Sequence, residues 1–325
     1  MRSFLPTARR TAFFLLIIAC GARTGLFVDE PIVEGPIEDG GLDGQQPIPD
    51  EAGRDVVADV RDALPPIDVR PPSDVDRSDC PDADATLIYT ITSTFDLQSF
   101  NPATGLFKTI GSIQCPARRG ETPFSMAVDR RGVAYVLFTD NRLYRVSTAT
   151  AACISTPYVP GQSSFLRFGM GFTTTGAGPA EALFVAGDDN QANGGASGLA
   201  RIDPTTFALT RIDDFSPAID SAELTGTGDG RLFAFYRKGQ DTPPAYIGEV
   251  DTTTAKVLGE RRFDNIDMGT GWAFAYWGGD FYMFHAPNDT TRVTRWRPSD
   301  DSVVQVATSS VKIVGAGVST CAPQQ

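Results

Sequence analysis

The sequence has 325 residues, with 40 acidic against 28 basic side chains and a formal net charge of −12. That acidic balance excludes electrostatic nucleic-acid binding, which needs a basic footprint. A single histidine excludes a multi-histidine metal site and leaves a Ser-His-Asp triad one base to use.

At the start of the chain, Arg2, Arg9 and Arg10 precede an apolar run over residues 12–19 and then Cys20. The run is far shorter than the about 20 residues that cross a bilayer as a helix. A basic segment before a short apolar one reads as an export signal. Ile17-Ile18-Ala19-Cys20 resembles the bacterial lipobox. The resemblance implies that residues 1–19 are a lipoprotein signal peptide, and that Cys20 becomes the lipidated N-terminus and the contact with the membrane. An ordinary cleaved signal with an incidental cysteine is the alternative. Arg9-Arg10 invites a twin-arginine route, but Ala12 fits its apolar position poorly, which favours general secretion. Gly21 stands where inner-membrane retention uses aspartate, so in a Gram-negative source the resemblance points to the outer membrane.

Residues 20–79 are expected to form a disordered acidic tether. From 21 to 79 there are 5 arginines and 15 acidic residues, with no aromatic after Phe27. Such a segment buries too little apolar surface to offset the entropy of ordering. Pro65-Pro66 and Pro71-Pro72 are rigid pairs within it. Val56, Val57, Val60 and Leu64 recur at helical spacing, too short and valine-rich for more than a transient helix.

From residue 80 onward the chain repeats. Short apolar runs with a central aromatic recur at 87–89, 134–138, 182–186, 232–235 and 281–284. With Tyr89, Tyr135, Phe184, Phe233 and Tyr282 as equivalents, the spacings are 46, 49, 49 and 49 residues. After each comes a second apolar element ending in a polar turn, led by Asn101, Ser147, Asp203, Asp251 or Arg297, and then a further strand. Before four of them lies a strand with small residues (Ala127, Gly171, Ala275) that runs into a Gly-rich hairpin. Four antiparallel strands in about 48 residues match the blade of a propeller repeat. The first copy lacks its innermost strand, and residues 312–320 form one extra strand. Together they complete a blade, and closure satisfies the sheet edges. The fold predicted for 80–325 is therefore all-β, a five-bladed β-propeller of four-stranded antiparallel blades closed by the C-terminal strand. The chain resembles β-propeller lipoproteins in general, and the Trp-Asp dipeptide of one propeller class is absent.

With Cys20 lipidated, four cysteines remain, an even number in an exported chain, and three pairings are open. The closed ring selects Cys80–Cys321 and Cys115–Cys153. No Cys-x-x-Cys spacing supports zinc.

No phosphate loop or Gly-x-Ser-x-Gly elbow occurs, and His285 reads as a strand-end residue packed among aromatics. Asp188, Asp189 and Asn190 offer oxygen ligands for calcium, but Ala192 breaks the alternating pattern, so a solvated insertion is the simpler reading and no cofactor is expected. Asp129 and Glu223 are the one pair of acids near inner strands, which a two-carboxylate hydrolase would need. Trp272, Tyr276 and Trp277 form an aromatic group suited to stacking on a sugar or anchoring a protein, with packing between blades as the alternative. The function expected is a lipid-anchored, monomeric, non-catalytic binding module of the cell envelope for an unknown protein or glycan. An envelope glycoside hydrolase and a purely structural envelope protein stay open beside it.

Overall fold

Backbone pairing sorts the chain into five four-stranded antiparallel sheets. The structure, a computed structural model, describes residues 63–69, 80, 87–176, 179–187, 195, 197–239 and 242–325. The lipobox-like segment with Cys20, and the calcium candidates Asp188, Asp189 and Asn190, lie outside the described residues.

The first blade contributes β1 (Ile88–Thr92), β2 (Asp96–Asn101) and β3 (Leu106–Ser112). Blade two is β4 (Pro123–Val128), β5 (Val133–Phe138), β6 (Leu143–Ser147) and β7 (Cys153–Ser155). Blade three is β8 (Phe168–Thr174), β9 (Glu181–Gly187), β10 (Gly198–Ile202) and β11 (Leu209–Asp213). Blade four is β12 (Asp220–Gly226), β13 (Leu232–Arg237), β14 (Ala245–Val250) and β15 (Val257–Phe263). Blade five is β16 (Trp272–Trp277), β17 (Asp280–His285), β18 (Thr291–Arg297) and β19 (Ser302–Ser309). The last strand, β20 (Ile313–Gly317), returns to blade one and pairs with β1, Tyr89 opposite Gly317 and Thr90 opposite Ala316. Among the described residues there is no α-helix.

The inner strands β20, β4, β8, β12 and β16 each touch the next, and β16 touches β20, so the ring is closed. The protein is a five-bladed β-propeller. The five repeat aromatics all fall in the second strand of their blades, β1, β5, β9, β13 and β17. The apolar core is divided into five clusters, one in each seam between neighbouring blades. Where neighbouring inner strands meet at their glycines there is room only for backbone: a Cβ on Gly317 would stand 2.7 Å from Val128 N, and one on Gly226 2.1 Å from Phe172 O. Small inner-strand residues are thus a packing requirement of five converging sheets.

The turns between third and fourth strands of blades one to four share one device. Oδ1 of Asn101, Asp203 and Asp251 accepts from the backbone N–H groups two and three residues on, and Ser147 Oγ does the same. Each loop then closes through a left-handed residue, Gly105, Ala151, Phe207 or Ala255, whose N–H returns to the carbonyl of the leading residue.

Cys80 is bonded to Cys321, with Cα atoms 5.8 Å apart, and Cys115 to Cys153, at 5.0 Å. The first bond joins the entry to the exit of the ring, and the second joins the seam of blades one and two.

One expectation needs correction. Residues 63–69, assigned to a disordered tether, lie on blade four. Glu260 N donates to Pro65 O at 2.8 Å, and Arg231 Nη2 donates to Asp68 O at 2.6 Å. Leu64 packs on the cluster between blades three and four. Ile67, 7 % exposed, belongs to the cluster between blades four and five. Composition averaged over the acidic segment hid two apolar side chains flanking a Pro-Pro pair that loses little entropy on docking.

Candidate functional site

An axial mouth opens where the inner strands begin. Thr122 and Pro123, Glu223, Gly271 and Trp272, and Lys312 and Val314 surround a cavity of about 220 Å³. They come from blades two, four, five and one, so the cavity exists only because the ring closes. Phe124 supplies a second aromatic wall, and Arg167 stands 5.7 Å from its ring centre. At the rim Lys312 Nζ lies 2.6 Å from Asp289 Oδ1 and donates to Thr270 Oγ1 at 3.1 Å. Trp272 is fixed by its Nε1–H, which donates to Ser221 O at 2.9 Å, and Arg237 sits 5.8 Å from its ring centre.

Glu223 lies on the wall of this mouth and is only 4 % exposed. Ser125 Oγ donates to its Oε2 at 2.8 Å. Burial pushes its carboxyl well above the usual carboxylate range, against the Ser125 hydroxyl and the Met170 N–H, which favour the ionised form. The mouth therefore combines aromatic walls, hydroxyls, one buried carboxyl and a rim ammonium held by a carboxylate. Among the described residues no second carboxylate lines it.

Asp129 does not join Glu223, which corrects the expected acid pair. Asp129 follows β4 at its far end, where its Oδ1 accepts from Arg131 N and Val133 N at 3.0 and 2.8 Å, the bonds of an ordinary hairpin turn. Four residues of strand separate it from Ser125, about 13 Å at strand rise. Two-carboxylate glycoside hydrolysis needs separations of about 5 to 9.5 Å. The neighbour of Asp129 is instead Glu181, at the start of β9, which the sequence reading did not single out. Its Oε1 accepts from Arg130 N at 2.7 Å and its Oε2 from Thr320 Oγ1 at 3.1 Å. Burial, with Asp129 nearby, pushes Glu181 up to about 7. Its position just after a Gly-Pro-rich turn resembles any exposed strand start, so no local signal marked it.

The aromatic group is also divided. Side chains alternate along a strand, and β16 is about 17 Å long. Trp272 opens on the axial mouth at its start. Tyr276, near its end, is buried in the seam of blades four and five, its ring 6.2 Å from Phe233 and its hydroxyl donating to Gln324 O at 3.0 Å. Trp277 faces the other way and packs half-buried against the cluster between blades five and one. His285 is buried, with Nδ1 2.9 Å from Asp267 O and Nε2 3.0 Å from Thr294 Oγ1. Among the described residues no group of three or more His, Cys, Asp or Glu side chains could hold a metal ion.

No family model matches the chain, and a search of curated proteins finds no match. Among solved structures it is similar to a chain of a nidogen–laminin complex, at 10 % identity and a TM-score of 0.47, covering 74 % of this chain and 99 % of that one. It is also similar to TolB from Acinetobacter baumannii, at 14 % identity and a TM-score of 0.40 over 69 % of this chain. The match spans about half of the TolB chain, 53 %. A hydrazine synthase chain from Kuenenia stuttgartiensis is similar at 14 % identity and a TM-score of 0.38, over 67 % of this chain and 64 % of that one. The class of this protein, a five-bladed propeller, follows from its own strand order.

Proposed function

We propose that the chain is an exported, lipid-anchored binding module of the cell envelope that takes a short glycan at its axial mouth, without catalysis. The mouth at the heads of the inner strands carries the reading. It combines the Trp272 and Phe124 rings, suited to stacking on a sugar face, with the Glu223 carboxyl and threonine hydroxyls, suited to its hydroxyl groups. A lone buried carboxyl supports binding over hydrolysis, since Asp129 belongs to the opposite end of the ring. Export is supported by two disulfides, bonds that persist in oxidising compartments, and by the lipobox-like Ile17-Ile18-Ala19-Cys20. In this reading the signal is 1–19, Cys20 carries the lipid, the stalk runs from there to the docked residues 63–69, and the folded body is a monomer. A Gram-negative source would place the protein at the outer membrane.

The test has two arms. A glycan array probed with the whole chain should retain a glycan that Trp272→Ala and Glu223→Gln each bind about tenfold more weakly or worse. Mass spectrometry of the mature N-terminus should find acylated Cys20. An array with no retained glycan, or variants that bind like the wild type, removes the glycan site, and an unmodified Cys20 removes the anchor.

A further inference from the structure

A second cavity, of about 460 Å³, lies in the seam of blades four and five, at the Tyr276 end of β16. Its size falls within the range of small-molecule sites. Phe233, Phe281 and Tyr276 line it as an apolar floor, and Ile67 and Val69 of the docked segment form one wall. Two guanidiniums reach it. Arg231 donates Nε and Nη2 to Glu249 at 2.9 and 2.7 Å, and Arg297 donates Nε and Nη2 to Asp280 at 3.0 and 2.9 Å. These bonds use one edge of each fork, and Arg231 Nη2 gives its other N–H to Asp68 O at 2.6 Å, so Arg297 is the one that keeps a whole second edge. Among the described residues neither Nη1 has a hydrogen-bond partner.

Gln324 supplies the second, independent observation. It lines the cavity and is 5 % exposed, its Nε2 donates to Ala322 O at 2.9 Å, and its Oε1 is buried with no hydrogen-bond partner among the described residues. A buried acceptor without a donor is costly, and native structures leave few of them. A ligand N–H would satisfy it.

We propose that this cavity binds a small aromatic monocarboxylate that carries an N–H donor. Its ring packs between the Tyr276 side of that floor and the Ile67 and Val69 wall, its N–H meets Gln324 Oε1, and its carboxylate meets the spare edge of Arg297, the planar match that favours arginine over lysine. Arg231, Arg295 and Arg297 stand against Glu249, Asp280 and Asp229, so the surroundings hold no positive excess for a phosphate dianion, and a singly charged carboxylate fits better. The site is independent of the axial mouth.

Benzoylglycine, which carries a ring, an N–H and a carboxylate, is the probe, titrated calorimetrically into the whole chain. Saturable binding with a Kd of about 1 mM or tighter is expected. Arg297→Met and Gln324→Leu should each weaken it about tenfold or more, while Phe124→Ala, at the mouth and packed on the seam of blades two and three, leaves it unchanged. The uncharged amide of the same compound should bind the wild type about tenfold more weakly, a comparison that requires no variant to fold. No saturable binding, equal binding of acid and amide, or unchanged binding in both variants overturns the proposal. So does loss of binding in Phe124→Ala, which would move the ligand to the mouth.

Discussion

Glu181 holds the closing end of the ring in place by accepting from Arg130 N and Thr320 Oγ1 while it is largely removed from water. Its folded pKa of about 7 stands above the ordinary 4.5, so between those values the folded state keeps a proton that the unfolded state has released. The contribution is fully present below about pH 4.5 and is lost as pH rises through 7, about 3 kcal/mol over the window. His285 works in the opposite sense. Burial lowers its pKa, and stability falls as pH drops below its ordinary 6.5. Glu181→Gln isolates the first effect because His285 is common to both proteins. The variant, compared with wild type by urea denaturation at about pH 5 and pH 8, should gain relative stability at the higher pH. An identical pH profile for the two would remove Glu181 as the titrating group. Burial pushes Glu223 in the same direction, so the two acids act together.

At the scale of elements, the docked segment 63–69 covers part of the outer edge of blade four. Outer strands of a propeller leave one row of backbone groups unpaired, and the Pro65 carbonyl satisfies one of them at Glu260. Gly259 belongs to the same fit, since a Cβ there would come within 2.8 Å of Pro66 O. Ile67 provides the apolar anchor. Ile67→Ala should cost about 2 kcal/mol, the low end for a buried isoleucine because the segment can lift away rather than leave a void. A urea midpoint indistinguishable from wild type would mean that the segment does not hold to the blade in solution. The third-to-fourth strand turns obey a simpler logic. A short polar side chain caps its own loop, so Asn101, Ser147, Asp203 and Asp251 mark the turns from sequence alone. The left-handed residues that finish them, Phe207 and Ala255 among them, carry no such mark, because a non-glycine residue is held at positive φ by its neighbours rather than by preference.

For the molecule as a whole, stability depends on closure. Each seam buries its own apolar cluster, and opening any one would expose two blade faces at once. The Cys80–Cys321 bond locks the join across 241 residues of chain, against 38 for Cys115–Cys153. By loop entropy the two contribute about 5 and about 4 kcal/mol as upper figures. Cys80→Ser with Cys321→Ser should therefore lower the unfolding free energy more than Cys115→Ser with Cys153→Ser. Both should retain the single cooperative transition of a ring whose inner strands still pair. The reverse order of stabilities would show that entropy of closure is not what the longer bridge supplies.

The architecture was readable along the chain because a blade is a local object. In four of the five blades the strands are consecutive, the aromatics recur at 46 to 49 residues, and the turns of blades one to four announce themselves in Asn, Asp and Ser. Even the missing strand could be inferred, since a sheet edge left open must find a partner. Cysteine pairing followed from that closure. The sites were of a different kind. Ser125 and Glu223 are 98 residues apart and share a hydrogen bond, while Asp129, four residues from Ser125, faces the other end of the ring. Trp272 and Tyr276 are neighbours in sequence and open on different cavities. Whether a carboxyl is buried, which ring meets water, and whether residues 63–69 dock depend on surfaces that five blades present to one another only when the circle is complete.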